Sequence, residues 1–240
     1  MQQNFSENRL LQRLGPQTIA RIGPKIRRIR LEQSACLLEA NSDFDRVYFP
    51  INSVISIVWL ADGRPTVEVA TIGNEGVLGL PAFLGVTQFP ANANCQIPGD
   101  CYVLSVTAFR AELNRGQKLH RVLQLYTQAL FTQVAQSAVC IRMHTVEQRA
   151  CRWMLMCQDR IGTDRFPLTQ AFLAQMLGVR RATVNGVARK LQAMNLIQYR
   201  SGIVEILDRG GLEKTSCECY EVVSTLYNDL FSTNHEAELV

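Results

Sequence analysis

Three kinds of hydrophobic pattern succeed one another along the chain. From about Arg21 to Thr107, short runs rich in β-branched and aromatic residues alternate with turn residues. These runs occupy 46–50, 54–60, 66–72, 95–97 and 101–106. Asp62-Gly63, between two of them, is a hairpin signal, because both residues tolerate the positive φ of a tight primed turn. Short strands at this spacing predict an all-β roll or barrel. Residues 10–22 have helical spacing and are expected to pack on that roll. Thr107 is placed to cap a short helix over 108–114.

The second pattern is a long helix over 117–143. Leu119, Leu123, Tyr126, Leu130, Val134 and Ile141 recur at three- and four-residue spacing and form one stripe. Such a stripe serves either to pair the helix with its own copy or to pack it on the β domain.

The third pattern begins near His144. Residues 146–161 read as a helix with Val146, Ala150, Trp153, Met154 and Cys157 inward, stopped by Gly162-Thr163-Asp164. Thr169 and Gln170 lead into a helix over 171–177, Gly178 makes a turn, and a second helix runs over 180–193 to Asn195. Residues 197–206 read as two short strands about Ser201-Gly202. Helix, glycine turn, helix and hairpin make a winged helix-turn-helix. Val184, Val187, Ala188 and Leu191 face inward in the second helix. Arg181, Ala182, Asn185, Gly186 and Arg189 then face out, on an element of the width that fits a DNA major groove.

Charge sharpens that picture. Net charge is only +4 (25 Lys and Arg against 21 Asp and Glu), yet 165–204 holds six basic residues and no acid: Arg165, Arg180, Arg181, Arg189, Lys190 and Arg200. Arginine suits a guanine edge and asparagine an adenine edge. Arg180 and Thr183, near the helix start, are placed for phosphates, as are Lys190, Arg200 and Ser201 further out. Thr169 and Gln170 complete the DNA-contacting set.

At these residues the chain resembles the CRP/FNR family of bacterial regulators. The resemblance rests on 168–185 (LTQAFLAQMLGVRRATVN), on Leu191, Leu196-Ile197 and the wing, and on the order of elements before them. It implies an α+β fold: an N-terminal β-roll sensor domain of the cyclic-nucleotide-binding jelly-roll type (1–116), a central dimerisation helix (117–143) and a winged helix-turn-helix DNA-binding domain (144–240). It also implies a homodimer on a palindromic double-stranded DNA site, with RNA polymerase as a further candidate partner; the scattered cysteines and the polar N-terminus suggest a reducing, cytoplasmic setting. The alternative left open is an effector-sensing or protein-interaction module without specific DNA readout. Two positions depart from the family's reading face. Ala182 stands where glutamate is usual and Gly186 where arginine is common, so the operator cannot be carried over.

The remaining chemistry mostly excludes. Hydrophobic residues make up 47% and charged residues 19%, a globular balance. The N-terminus lacks the apolar core of a signal peptide, and no apolar run is long enough to span a bilayer. No nucleophile elbow, P-loop, dinucleotide fingerprint or metal pair is found, which argues against an enzyme. The family's cyclic-nucleotide site needs a carboxylate where Val77 stands, and a cation on the phosphate. Residues 65–109 contain neither Lys nor Arg, so cyclic-nucleotide binding is not expected. Cofactor and effector are left unknown. The eight cysteines include no Cys-x-x-Cys pair and no evident zinc spacing, so no metal ligands are assigned. The tail 216–220 resembles tails of some family members, a resemblance that favours a structural role over a metal site. Cys95 and Cys101 are either redox-active or, more simply, buried structural thiols.

Overall fold

Pro16 divides the first helical stretch in two. In the computed structural model, which describes residues 5–61 and 64–231, α1 is Arg9–Gln12 and α2 is Pro16–Ile22. Pro16 takes the first helical position, where its missing N–H costs nothing. Asn8 caps α1 by accepting from the Leu11 amide. Leu10, Leu11, Leu14 and Ile22 are buried against Phe49, Tyr102 and Phe109, so both helices pack on the roll as the pattern predicts.

The roll comprises β1 Arg27–Leu31, β2 Cys36–Leu38, β3 Arg46–Pro50, β4 Val54–Ala61, β5 Arg64–Ile72, α3 Leu80–Phe83, β6 Ala91–Ile97 and β7 Gly99–Ser105. Its sheets run β1-β7-β3 and β2-β6-β4-β5, and every pairing is antiparallel. The β4–β5 register extends to Ala61 and Arg64. The expected hairpin turn at Asp62-Gly63 lies outside the described residues. Leu31, Ile55, Ile57, Ile72, Ala93, Cys95, Cys101 and Val103 fill the space between the sheets.

Helix α4, Val106–Leu113, starts two residues earlier than expected. Ser105 rather than Thr107 is the cap, accepting from the Ala108 amide. The hydroxyl nearest the end of the strand takes the cap because β7 ends there. Helix α5, Gln117–Met143, keeps its expected bounds, and at 1.5 Å per residue it is about 40 Å long. A Thr145–Gln148 capping box opens α6, Val146–Ile161, and left-handed Gly162 closes it.

The C-terminal unit then runs β8 Arg165–Pro167, α7 Gln170–Leu177, α8 Arg181–Ala193, β9 Ile197–Arg200, β10 Ile203–Ile206, α9 Arg209–Thr215 and α10 Cys219–Phe231. Its sheet is ordered β8-β10-β9. Two features differ from the domain division drawn on the sequence. First, the unit does not stand apart from the roll. Val54, Val58 and Ile97 share one hydrophobic core with Trp153, Met176 and Leu177. Second, α10 turns back across α5, and its Val223, Tyr227 and Leu230 join the core of the roll. Among the described residues, no helix is long and apolar enough to cross a membrane.

Candidate nucleic-acid interface

Helix α8 is positioned from below. Thr169 caps α7 by accepting from the Phe172 amide, and Leu173, Ala174, Met176 and Leu177 seat that helix. Gly178 is left-handed at φ 64°, a conformation glycine adopts without penalty. It turns the chain so that Arg180 becomes the N-cap of α8. Val184, Ala188 and Leu191 are buried, and Val187 is partly so. Asn195, at φ 56°, ends the element. The wing bends at Ser201 and Gly202, at φ 52° and 75°, the paired left-handed geometry of a tight hairpin.

Cross-links hold the wing against the helices. The Leu168 amide donates to the Gly202 carbonyl at 2.7 Å. Gln192 Oε1 of α8 accepts from the Tyr199 amide at 2.9 Å, and the Tyr199 hydroxyl donates to the Leu168 carbonyl. Thr169, Gln170, Arg181, Tyr199, Ser201 and Gly202 thereby line one groove between helix and wing.

Arg180, Arg181, Ala182, Thr183, Gly186, Arg189 and Arg200 are exposed, and Asn185 is half-buried. A Cβ on Gly186 would meet nothing within 4 Å, so packing inside the chain does not demand glycine there. Lys190 differs from the arginines: its Nζ is 2.7 Å from Glu147 Oε2, so part of its charge is engaged within the chain. The outward α8 face is exposed; the roll meets α6 and α7 beside it and takes α10 into its core.

The α5 stripe requires a correction. Leu119, Leu123 and Tyr126 are at most 1% exposed and belong to this chain's own core. They are not free to meet a partner. Leu130 is partly buried, while Val134 and Ile141 are exposed at 37% and 45%. The sequence stripe runs along the border between two faces, and the roll covers its N-terminal half. The free apolar face is made by Phe131 (68% exposed), Val134, Ala135, Ala138 and Ile141. Phe131, Ala135 and Ala138 were legible as i, i+4, i+7, but they lie off the more continuous leucine stripe.

Comparison with known proteins adds to this geometry. Residues 148–215 match the Crp-like helix-turn-helix domain. The chain has the CRP/FNR fold and carries a Crp-like helix-turn-helix. FixK2 of Bradyrhizobium japonicum superposes with a TM-score of 0.66 at 15% identity, covering 80% of this chain and 98% of that one. CLP of Xanthomonas campestris, described as a c-di-GMP responsive global regulator, gives 0.64 at 14% identity, covering 81% and 100%. A CRP/FNR-family transcriptional regulator of Thermus thermophilus gives 0.64 at 16%, covering 79% and 98%. No curated protein matches the chain in sequence. The Crp-like segment spans α7, α8 and the wing, and ends at α9, before α10.

A buried ion pair joins the roll to α6. Arg160 of α6 donates from Nε to Glu75 Oε1 at 2.8 Å, and both side chains are 5% exposed. It also donates to Met156 O, Thr71 O and Gln133 Oε1. Burial opposes the Arg160 charge, but Glu75 more than offsets it and the net pKa moves up. The buried cation paired with Glu75 thus belongs to α6, outside 65–109. Cys95 and Cys101 are buried and their thiols are pushed up in pKa by burial, Cys95 to about 12, the signature of inert thiols.

Proposed function

We propose that the protein is a transcription regulator that binds double-stranded DNA as a homodimer through α8 and the wing. The observation that carries this reading is the exposed α8 face. Arg180, Arg181 and Arg189 stand on it, with Arg200 on the adjoining wing, and none has an ion-pair partner among the described residues. Arg181 and Asn185 read base edges; Arg180, Thr183, Lys190, Arg200, Thr169 and Gln170 hold the backbone. Footprinting on the protein's own genomic neighbourhood tests it. Arg181→Ala is expected to weaken binding to the protected site by about 1–3 kcal/mol, with little change on unrelated DNA. Equal losses on both DNAs would remove base reading from Arg181. An affinity indifferent to salt would favour the alternative, a protein-interaction module, because phosphate contacts make binding fall steeply with salt.

The dimer is supported by the free apolar face of α5, which pairs with its own copy about a two-fold axis. Phe131→Asp is expected to shift sedimentation toward the monomer while leaving the circular dichroism spectrum intact. Leu123→Asp instead unfolds the chain, since Leu123 is 0% exposed. A Phe131→Asp variant sedimenting like wild type would move the interface elsewhere. The reading without cyclic nucleotide is supported by Val77, buried where the carboxylate would stand, and by the prior commitment of Arg160 to Glu75.

A further inference from the structure

The sequence spacing assigned no metal ligands, but the fold brings together four that are far apart in sequence. Cys140 lies in the last turn of α5 and His144 caps that helix, so the two stand on one helical face at i and i+4. Cys217 and Cys219 flank the start of α10, which lies across α5. The Cys140, Cys217 and Cys219 sulfurs and a ring nitrogen of His144 all lie within 4.8 Å of one another. Cys140 Sγ and Cys217 Sγ are 3.5 Å apart, and Cys219 Sγ is 3.5 Å from His144 Nδ1.

We propose that Cys140, His144, Cys217 and Cys219 form a mononuclear zinc(II) site of the closed, structural kind. With Zn–S near 2.3 Å and Zn–N near 2.0 Å, the edges of a Cys3His tetrahedron are about 3.5–3.8 Å. The two 3.5 Å separations fall on such edges, and the widest pair closes by about 1 Å. Three thiolates and an imidazole favour zinc over the oxygen-seeking magnesium and calcium. The cysteines are at most 4% exposed, which leaves no open position for substrate.

The surroundings are those of a ligand set as well. His144 Nε2 is 3.1 Å from Glu218 Oε1, so a carboxylate orients the imidazole with Nδ1 turned to the sulfurs, as in carboxylate–histidine–zinc triads. Gln136 Nε2 donates to Cys219 Sγ at 3.0 Å. Arg149 and Arg152 lie close enough to act on the Cys140 charge. They balance the single negative charge left by three thiolates and one zinc ion. Loading the site displaces the thiol protons to solvent, with no change of oxidation state. The ion ties the end of α5 to the helix that follows the Crp-like segment. The competing fate of these sulfurs is a Cys140–Cys217 disulfide.

The test uses the full chain, expressed with zinc supplied and purified under reduction. Metal analysis is expected to find about one zinc per chain, falling below a tenth in Cys217→Ser/Cys219→Ser. Cobalt(II) added to the stripped protein is expected to give thiolate-to-cobalt charge-transfer bands with a tetrahedral d–d pattern, both erased by zinc. Glu218 is 70% exposed, so Glu218→Gln should fold and keep all four ligands. It is expected to weaken zinc about 10–100-fold against a chromophoric chelator, the usual effect of losing such a partner. Three results would overturn the site: a reduced wild type without zinc or cobalt–thiolate bands, a Cys140–Cys217 disulfide in protein taken fresh from cells, or zinc unchanged in the double variant. None of these readouts involves DNA, so the zinc site and the regulator reading stand or fall separately.

Discussion

Glu75→Ala is expected to cost about 3–5 kcal/mol of folding stability. The cost comes from what is left behind. Arg160 is buried, and its carboxylate partner sits 2.8 Å from Nε. Without Glu75 the guanidinium keeps only carbonyl and amide acceptors from Met156, Thr71 and Gln133. These neutral groups do not compensate a buried positive charge. Its retreat to solvent would vacate the space beside Gly73, where Arg160 carbons lie 2.3–2.5 Å from the position of a Cβ. Urea unfolding measures the loss. Replacing both partners with apolar residues, as in Glu75→Leu/Arg160→Met, is expected to recover much of it, because the desolvation penalty of both charges disappears. A single-variant cost under about 1 kcal/mol would mean that water reaches Arg160.

Glu68→Gln is expected to flatten the pH dependence of stability between about pH 4.5 and 7. Glu68 lies where the roll meets α6. Trp153 Nε1 donates to its Oε1 at 3.0 Å and the Ser56 hydroxyl bonds its other oxygen. Burial of the carboxylate raises its pKa from 4.5 to about 7, against the pull of those hydrogen bonds and of Arg160 and Arg152. The folded state therefore holds this proton more tightly than the unfolded chain does. The stabilisation is complete below the unfolded value and is lost as pH rises through the folded one. The full displacement corresponds to about 3 kcal/mol. Glu68 keeps some solvent contact as a residue, which trims the expected effect to about 2 kcal/mol. Glutamine keeps an acceptor for Trp153 and carries no charge, so the variant should be the more stable chain at pH 8 and about equal to wild type at pH 4.5. Parallel pH profiles for the two proteins would show that Glu68 does not titrate in that range.

The parts most legible in the sequence were those governed by local rules. The α8 periodicity, the glycine at 178 and the Ser201-Gly202 turn each have a reason within a few residues, and all stand as expected. Strands whose faces are polar were not legible. In β1 only Leu31 is buried, and Arg27, Arg28 and Arg30 break any alternation. Strand β8 has three residues and exists because β10 is there to pair with it. The same limit applies to the α5 stripe, where spacing shows that residues share a face but not which neighbour covers it. It also applies to the sulfur cluster. Its members are separated by 77 residues between Cys140 and Cys217, and only the return of α10 over α5 makes them neighbours.

The common core of Val54, Val58 and Ile97 with Trp153, Met176 and Leu177 bears on how this molecule can be taken apart. A fragment cut at His144 would carry the helix-turn-helix away from the strands that floor it, and would strip α10 of its seat on α5. Apolar surface normally sealed inside would then meet water. The roll and the C-terminal elements thus share a buried core, and neither carries all of it alone.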